Sequence, residues 1–273
     1  MKEFSIGDKT KLCGSIASRP SKLGPIIHNA AYRALDLDFV YMAFGVTDLK
    51  KAIEGVRGLG IRGLGVSMPF KQEVIQYLDQ IDETARTIGA VNTICNENGK
   101  LTGYNSDWIG AVRALEEKTS IDGKKVVLVG AGGVARAIVY GVKKKGGRTV
   151  VFNRTLEKAK QLVADFGIEL GGGVEEVSRE KDYDILINAT SVGSHPNIGD
   201  RIFPDSVLKP GKVVLDVVFN PPETALIKAA RSAGCSTIPG YRMLVHQALF
   251  QFELYTGQKA PFEVMEKALL ATI

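Results

Sequence analysis

The sequence predicts an α/β protein of two domains, and three observations support this fold class. The chain has 273 residues, more than the ~100–200 residues of a typical domain. Short apolar segments alternate with helical patterns, as in parallel sheets that are covered by helices. After residue 107 the alternation restarts, and it soon reaches an almost continuous apolar run at 124–130, typical of a strand buried on both faces.

The first part of the chain supplies three predicted strands and three predicted helices. The strands are 11–17, 38–46 and 61–69, and the helices are 25–37, 47–60 and 70–80. Pro25 suits the first turn of its helix. Thr47 is expected to cap the helix that it opens, which closes on glycine.

The second part repeats this pattern with more apolar strands. Helices are predicted at 108–118 and 155–166, and strands at 124–130, 148–153, 183–190 and 212–219. Residues from Gly240 onward are predicted to form two helices. No repeat or low-complexity tract interrupts the chain, so a helix near residue 108 is expected to join the two α/β parts.

Charge and composition narrow the possible partners. The net charge is +5 and the pI is about 9.0, which suits an anionic small molecule as well as a nucleic acid. The one dense basic run, Lys143 to Lys145, lies at a predicted helix end without interleaved aromatic residues. Cations are favourable at that end of a helix, so we predict a solvated helix terminus and no nucleic-acid partner.

Cysteine, histidine and apolar patterns predict a cytoplasmic protein without a metal. The three cysteines are far apart in sequence, which is typical of a reducing compartment. The three histidines do not pair at ligand spacing, so no metal site is expected. Residues 1–11 are too polar for a signal peptide, and no apolar run reaches the ~18 residues that span a bilayer.

A glycine-rich loop follows the first strand of the second domain. Gly130, Gly132 and Ala135 form the pattern G-x-G-x-x-A between that strand and a helix. In this context Gly130 allows a tight turn, Gly132 lets the backbone approach a pyrophosphate, and Ala135 allows close packing. The helix N-terminus then faces the anion. The alternative is a tight turn without a ligand, and the position of the loop favours the dinucleotide.

The end of the next strand distinguishes between the two nicotinamide cofactors. An NAD site tends to carry an acidic residue there that binds the ribose hydroxyl. Here the strand ends on Asn153, Arg154 and Thr155, with Lys158 one helical turn later. A planar guanidinium suits a 2′-phosphate, so we predict NADP. The alternative is that Arg154 is a solvated residue at the start of a helix.

Taken together, the motifs resemble those of the shikimate dehydrogenase family over nearly the whole chain. The segments that carry the resemblance, in chain order, are VSMPFK (66–71), IGAVNT (88–93), GYNSD (103–107), GAGGVARA (130–137), FNRT (152–155), NATSVG (188–193), DVVFNPPET (216–224) and GYRMLVHQALFQFELYTG (240–257). Each segment alone is a weak signal, and their common order and spacing make the resemblance specific.

The resemblance implies an N-terminal α/β substrate domain plus a C-terminal Rossmann NADP-binding domain. The implied limits are 1–107 with 240–273 for the substrate domain and 108–239 for the other. The implied activity is NADPH-dependent reduction of 3-dehydroshikimate to shikimate, in a monomer or homodimer. Two alternatives stay open, which are a quinate/shikimate dehydrogenase and a non-catalytic NADP-binding sensor.

The resemblance also implies a set of site residues. The catalytic residues are Lys71 and Asp107. The substrate-binding residues are Ser21, Ser67, Asn92, Asn105 and Gln247. The cofactor-binding residues are Gly130, Gly132, Gly133, Ala135, Asn153, Arg154, Thr155, Lys158, Thr190 and Ser191. Chemistry supports the first pair, because hydride addition to a ketone builds negative charge on oxygen. Lys71 can donate a proton there, and Asp107 would keep the lysine oriented and charged.

The loop before the first helix departs from the family pattern H-S-x-S-P, whose two serines hold the substrate carboxylate. Gly24 stands at the position of the second serine, and Ser21 matches the first only with one inserted residue. Arg19 is an additional cation that could hold a carboxylate. Gly65 replaces an asparagine, and Phe219 replaces a tyrosine. These departures indicate a branch of the family with an altered substrate site. The expected substrate is a cyclic polyol carboxylate, and shikimate, quinate and aminoshikimate stay open.

Overall fold

The computed structural model describes residues 6–273, so part of the polar N-terminal stretch lies outside the described residues. The strands are β1 (Lys11–Ala17), β2 (Phe39–Gly45), β3 (Gly63–Val66), β4 (Gln80–Ile81), β5 (Thr93–Glu97), β6 (Lys100–Tyr104), β7 (Lys125–Val129), β8 (Arg148–Phe152), β9 (Glu169–Gly172), β10 (Ile185–Asn188), β11 (Val213–Asp216) and β12 (Ser236–Ile238). The helices are α1 (Leu23–Ala34), α2 (Leu49–Gly58), α3 (Glu83–Ile88), α4 (Asp107–Glu116), α5 (Gly133–Lys144), α6 (Leu156–Phe166), α7 (Ala225–Ser232), α8 (Gly240–Thr256) and α9 (Phe262–Leu270).

The described chain divides into two compact units. The first unit runs through Ser106 and takes up Gln247–Thr272, and the second unit comprises Asp107–His246. The second boundary between these units falls inside α8.

The first unit contains a mixed six-stranded sheet in the order β2-β1-β3-β5-β6-β4. β1 runs parallel to β2 and β3, whereas β5 is antiparallel to both β3 and β6. The expectation of parallel sheets throughout is therefore wrong for this unit. The cause is a hairpin whose turn residues, Asn98 and Gly99, have φ angles of +54° and +87°. Asn-Gly favours such a turn because both residues tolerate positive φ.

Two further local predictions in this unit are wrong. Residues 70–80 do not form one helix, because a short 3₁₀ turn at Glu73–Tyr77 is followed by β4. The Asp79 carboxylate there accepts from Leu101 N and from Arg57 Nη1, both at 2.7 Å, which holds the chain beside β6. Helix α2 is capped by Asp48 instead of Thr47, since Asp48 Oδ1 accepts from Lys51 N at 3.1 Å.

The second unit contains a parallel sheet in the order β12-β11-β10-β7-β8-β9. This is the doubly wound Rossmann order, which reverses between β7 and β10. The strands predicted at 124–130 and 148–153 are confirmed as β7 and β8, and Val127, Leu128 and Val151 on them are fully buried. Ligands of such sheets bind at the carboxyl ends of the strands where the order reverses.

The basic run at the end of α5 makes contacts within the second unit. Lys143 Nζ donates to Phe166 O at 2.6 Å, Lys144 Nζ lies 5.0 Å from the centre of the Trp108 ring, and Lys145 pairs with Glu116 at 2.7 Å. These contacts agree with a helix terminus. Across residues 6–273, no helix has both the length and the apolar character needed to cross a bilayer. The same residues contain no group of three or more His, Cys, Asp or Glu side chains suited to a metal ion.

Candidate active site

The segment after β3 carries Ser67 and Lys71. Ser67 N donates to Ile16 O at 2.9 Å, and Phe70 N donates to Ser67 O at 3.0 Å, which closes a turn. Ser67 is exposed and Lys71 is half-buried. The Lys71 carbonyl oxygen accepts from Val91 N at 2.8 Å. The backbone of Lys71 is therefore anchored to the chain that enters β5, and the catalytic role of its side chain stays a prediction.

Asn92 joins three parts of the first unit. Its Oδ1 accepts from Ser106 N at 2.7 Å, from Ser106 Oγ at 3.1 Å and from Thr93 Oγ1 at 2.9 Å. Its backbone oxygen accepts from Val66 N at 2.8 Å. Because the carboxamide oxygen is fully engaged, Asn92 can offer a ligand only its Nδ2 donor.

The other predicted substrate residues differ in their surroundings. Asn105 is buried, and its Nδ2 donates to Ala90 O at 3.0 Å. Gln247 is half-buried on α8. Ser21 is exposed, and its Oγ accepts from Leu23 N at 3.2 Å, so this hydroxyl serves the start of α1. Arg19, in the same loop, is also exposed.

Gln251 is a polar contact that the sequence does not single out. Its Nε2 donates to Thr93 Oγ1 at 3.0 Å, which links it to Asn92 through the threonine hydroxyl. Gln251 also contacts the buried ring of His28, whose pKa is lowered to about 4 by burial, so the imidazole is neutral at pH 7. The available signal was the spacing of Gln247 and Gln251, four residues apart on one helix face.

Asp107 opens the second unit as the first residue of α4, and it is buried. Lys71 belongs to the first unit and Asp107 to the second, so their predicted pairing stays a prediction. The residue that precedes Asp107 is held firmly, since both the amide and the hydroxyl of Ser106 donate to Asn92.

The glycine loop after β7 is shaped so that a ligand can approach its backbone closely. Gly130 has φ +124°, and a Cβ there would lie 2.7 Å from Ala189 O, so only glycine fits. Gly132 and Gly133 are exposed, and a Cβ at either would meet no described atom within 4 Å. Ala135 is fully buried in the first turns of α5. The residues present thus fit a pyrophosphate at the start of α5.

The segment after β8 presents cations and no acid. Arg154, Thr155 and Lys158 are exposed, and Asn153 Nδ2 donates to Thr155 O at 2.7 Å, which orders the turn into α6. Since residues 153–155 contain no carboxylate, this strand end fits a 2′-phosphate better than a free ribose hydroxyl.

A buried acid that the sequence reasoning missed organises the ends of β10 and β11. Asp216 accepts from Asn188 Nδ2 at 2.8 Å and from Thr224 Oγ1 at 2.6 Å. Asn188 Oδ1 in turn accepts from Thr190 N at 3.0 Å. Ser191, the next predicted cofactor residue, is exposed. Asp216 therefore fixes the loop that carries Thr190 and Ser191 beside the glycine loop.

Burial raises the pKa of Asp216 from 3.8 to about 6. Because the folded value lies above the unfolded one, the stability that this group contributes is present below pH ~3.8 and is lost as the pH rises through ~6. This difference corresponds to up to ~3 kcal/mol. We expect the free energy of unfolding of the wild type, relative to Asp216→Asn, to fall between pH 4 and pH 7. Urea unfolding of both proteins across this range checks it, and a pH-independent difference contradicts it.

Comparisons with known proteins bear on both units. The family model for the shikimate dehydrogenase substrate binding domain matches residues 19–94, that for shikimate / quinate 5-dehydrogenase matches 113–215, and that for the shikimate 5′-dehydrogenase C-terminal domain matches 240–270. The chain is 44% identical to the NADP(+) shikimate dehydrogenase of Pyrococcus furiosus over 97% of each chain. The chain belongs to the shikimate dehydrogenase family.

Solved structures of this family agree with the fold. A shikimate dehydrogenase in complex with NADP+ is 40% identical, covers 98% of each chain and superposes with a TM-score of 0.93. The Listeria monocytogenes enzyme, in complex with shikimate and NAD, is 36% identical over 97% of this chain and 98% of its own, with a TM-score of 0.91. The fold is thus the shikimate dehydrogenase arrangement, an N-terminal substrate domain plus a Rossmann NADP-binding domain.

Proposed function

We propose that this protein is an NADP-dependent shikimate dehydrogenase that interconverts 3-dehydroshikimate and shikimate. The single observation that carries the proposal is the match with NADP(+) shikimate dehydrogenases over nearly the whole chain. Three features support it. The glycine loop suits a dinucleotide, the cationic segment after β8 suits a 2′-phosphate, and Lys71 can act as the proton donor.

NADPH, when bound, would supply a hydride for the carbonyl carbon of the substrate. The chain supplies the proton, and we assign it to Lys71 Nζ, which donates to the carbonyl oxygen as the C–O π bond breaks. Asp107 would orient the ammonium group. Asn92 would donate from Nδ2 to a substrate oxygen, since its Oδ1 is engaged by Thr93 and Ser106. Gly130, Gly132 and Gly133 would hold the pyrophosphate against the start of α5.

Absorbance at 340 nm tests the function directly. Purified protein with NADP+ and shikimate should produce NADPH, and it should consume NADPH with 3-dehydroshikimate. Quinate and aminoshikimate in parallel assays distinguish the substrates that the altered loop leaves open. Absence of turnover with every acid, combined with retained NADP binding, would instead support the non-catalytic sensor.

We further propose that the protein works in the cytoplasm. All three cysteines are free and buried, which agrees with a reducing compartment. A monomer and a homodimer are both compatible with this chemistry, and light scattering during size-exclusion chromatography distinguishes them.

A further inference from the structure

A continuous series of side-chain hydrogen bonds in the first unit ends on Asn92. It begins at the imidazole of His28 on α1, which bonds to the side chain of Gln251 on α8. Gln251 Nε2 donates to Thr93 Oγ1 at 3.0 Å, and Thr93 Oγ1 donates to Asn92 Oδ1 at 2.9 Å. Gln251 is half-buried and the other three residues are buried. Buried polar groups are costly to leave without a partner, so these four side chains constrain one another.

The direction of each bond in this series follows from the chemistry of its members. His28 Nδ1 has no hydrogen-bond partner among residues 6–273, so Nε2 makes the bond to Gln251. Since Gln251 Nε2 faces Thr93, Oε1 is the atom left to accept from the imidazole. The pKa of His28 is lowered to about 4 by burial, so the neutral ring carries one proton, which this arrangement places on Nε2. Every donor in the series therefore points toward Asn92.

Gln251 determines what the Thr93 hydroxyl can offer to Asn92. A hydroxyl has a single proton. Because Thr93 Oγ1 accepts from Gln251, that proton is directed toward Asn92 Oδ1 at 2.9 Å and Ser106 Oγ at 3.3 Å. If residue 251 could only accept, the threonine would donate to it, and Asn92 would lose this donor. Gln251 thus acts on Asn92 through Thr93.

Two glycines that depart from the family pattern leave room for the ring that holds His28. The ring of Tyr41 is stacked on the imidazole, with centroids 4.4 Å apart. A Cβ at Gly24 would lie 2.9 Å from Cε1 of Tyr41. A Cβ at Gly65 would lie 3.0 Å from the Tyr41 hydroxyl oxygen and 3.7 Å from Gln251 Nε2. Larger residues at these positions would therefore displace the tyrosine and crowd the amide.

We propose that Gln251 is a positioning residue for the substrate. Through Thr93, and together with Ser106, it keeps the oxygen of the Asn92 carboxamide engaged, so that Asn92 presents Nδ2 to a substrate oxygen. A hydroxyl or carbonyl oxygen of a cyclic polyol acid can accept from this donor. The identity of the acid rests on the proposed function, whereas the direction of the hydrogen bonds does not.

Gln251→Met removes the amide and keeps a side chain of similar length. We expect KM for shikimate to rise ~2–10-fold, the effect of losing one neutral hydrogen bond. The kcat and the KM for NADP+ should stay the same, because the glycine loop belongs to the second unit. A merely structural role would instead lower kcat through loss of folded protein and leave KM unchanged.

Tyr255→Phe is the matched control. Tyr255 lies one turn after Gln251 on the same face of α8, it is buried, and its hydroxyl has no hydrogen-bond partner among residues 6–273. The control therefore removes a buried polar atom that lies outside the series, and it should leave KM for shikimate unchanged. An unchanged KM in Gln251→Met, or an equal rise in both variants, overturns the proposal.

A double-mutant cycle tests whether Gln251 acts through Thr93. Thr93→Val removes the hydroxyl and keeps the shape of the side chain, so it should raise KM for shikimate, whereas Thr93→Ser keeps the hydroxyl and should retain the wild-type value. Once the hydroxyl is absent, adding Gln251→Met to Thr93→Val should raise KM no further. Additive effects of the two substitutions would contradict an action through Thr93.

The direction of the series can be measured on the wild type without a substrate. Correlation spectra of the imidazole nitrogens show which nitrogen of His28 carries the proton, and the signals of the other two histidines are identified by their loss in His195→Gln and His246→Gln. We expect the proton on Nε2. A proton on Nδ1 would reverse the series and overturn the proposal, even if Gln251→Met does not fold. A wild type that does not turn over shikimate contradicts the proposed function alone, and the position of this proton then still decides the direction.

Discussion

Lys71→Ala is expected to lower kcat for shikimate oxidation by ~10²–10⁴-fold, the range for losing a positioned general acid or base. The physical reason is that, without Lys71, no side chain would exchange a proton with the oxygen on the reacting carbon. The affinity for NADP+ should stay the same, because the glycine loop and the segment after β8 belong to the second unit. Steady-state kinetics and a separate NADP+ titration check both statements.

Lys71→Arg is the control for charge. It keeps a cation at this position but holds its protons far more tightly, so it should resemble Lys71→Ala in kcat. Lys51 on α2 is a matched surface lysine that pairs with Asp48 at 3.2 Å, and Lys51→Ala should retain full turnover. A Lys71→Ala protein with wild-type kcat would contradict a catalytic role for Lys71.

Arg154→Ala is expected to reduce the preference for NADP+ over NAD+ by ~10–100-fold. A charge-assisted hydrogen bond to the 2′-phosphate contributes ~1.5–3 kcal/mol, and NAD+ has no such phosphate. The loss should therefore fall on NADP+ alone. The ratio of kcat/KM for the two cofactors, measured at one ionic strength, gives the effect.

Lys158→Ala and Arg136→Ala distinguish a local contact from general charge. Lys158 is exposed one turn into α6 and should contribute a smaller loss of NADP+ preference. Arg136 on α5 is engaged with Asp165 at 2.5 Å, so its removal should leave the cofactor ratio unchanged. An unchanged ratio in Arg154→Ala would favour the solvated-residue alternative for this arginine.

The second unit could be predicted well from sequence because its strands are buried on both faces. Such strands give continuous apolar runs, as at β7 and β8. The glycine loop is recognisable in sequence because the turn after β7 requires glycine. Asp216 escaped prediction for the opposite reason. It lies at the end of an apolar run. Its partner Thr224 follows in the same segment, 216–224, but its partner Asn188 belongs to another strand, so the apolar pattern does not indicate a buried acid there.

The first unit was harder to predict because its sheet mixes strand directions. The Asn-Gly dipeptide at residues 98–99 was a usable hairpin signal, whereas β4 is too short to give one. The departures at Gly24 and Gly65 were visible in sequence, but their common neighbour Tyr41 is 17 residues from one and 24 from the other. A shared contact over such separations appears only in three dimensions.

The hairpin of β5 and β6 also changes which strand ends lie together at one edge of the sheet. Parallel strands alone bring only their carboxyl ends together, as β1 and β3 do before Ser18 and Ser67. Because β5 runs in the opposite direction, its amino end lies beside the carboxyl end of β3, and Asn92 immediately precedes β5. Strand β6 then runs back, so that Asn105, which follows it, lies at the same edge. The turn at Asn98 and Gly99 lies at the opposite edge. The contacts of that turn, from Arg57 to the Gly99 oxygen and from Gly99 N to Asn96 Oδ1, are therefore separate from the edge that carries Asn92 and Asn105.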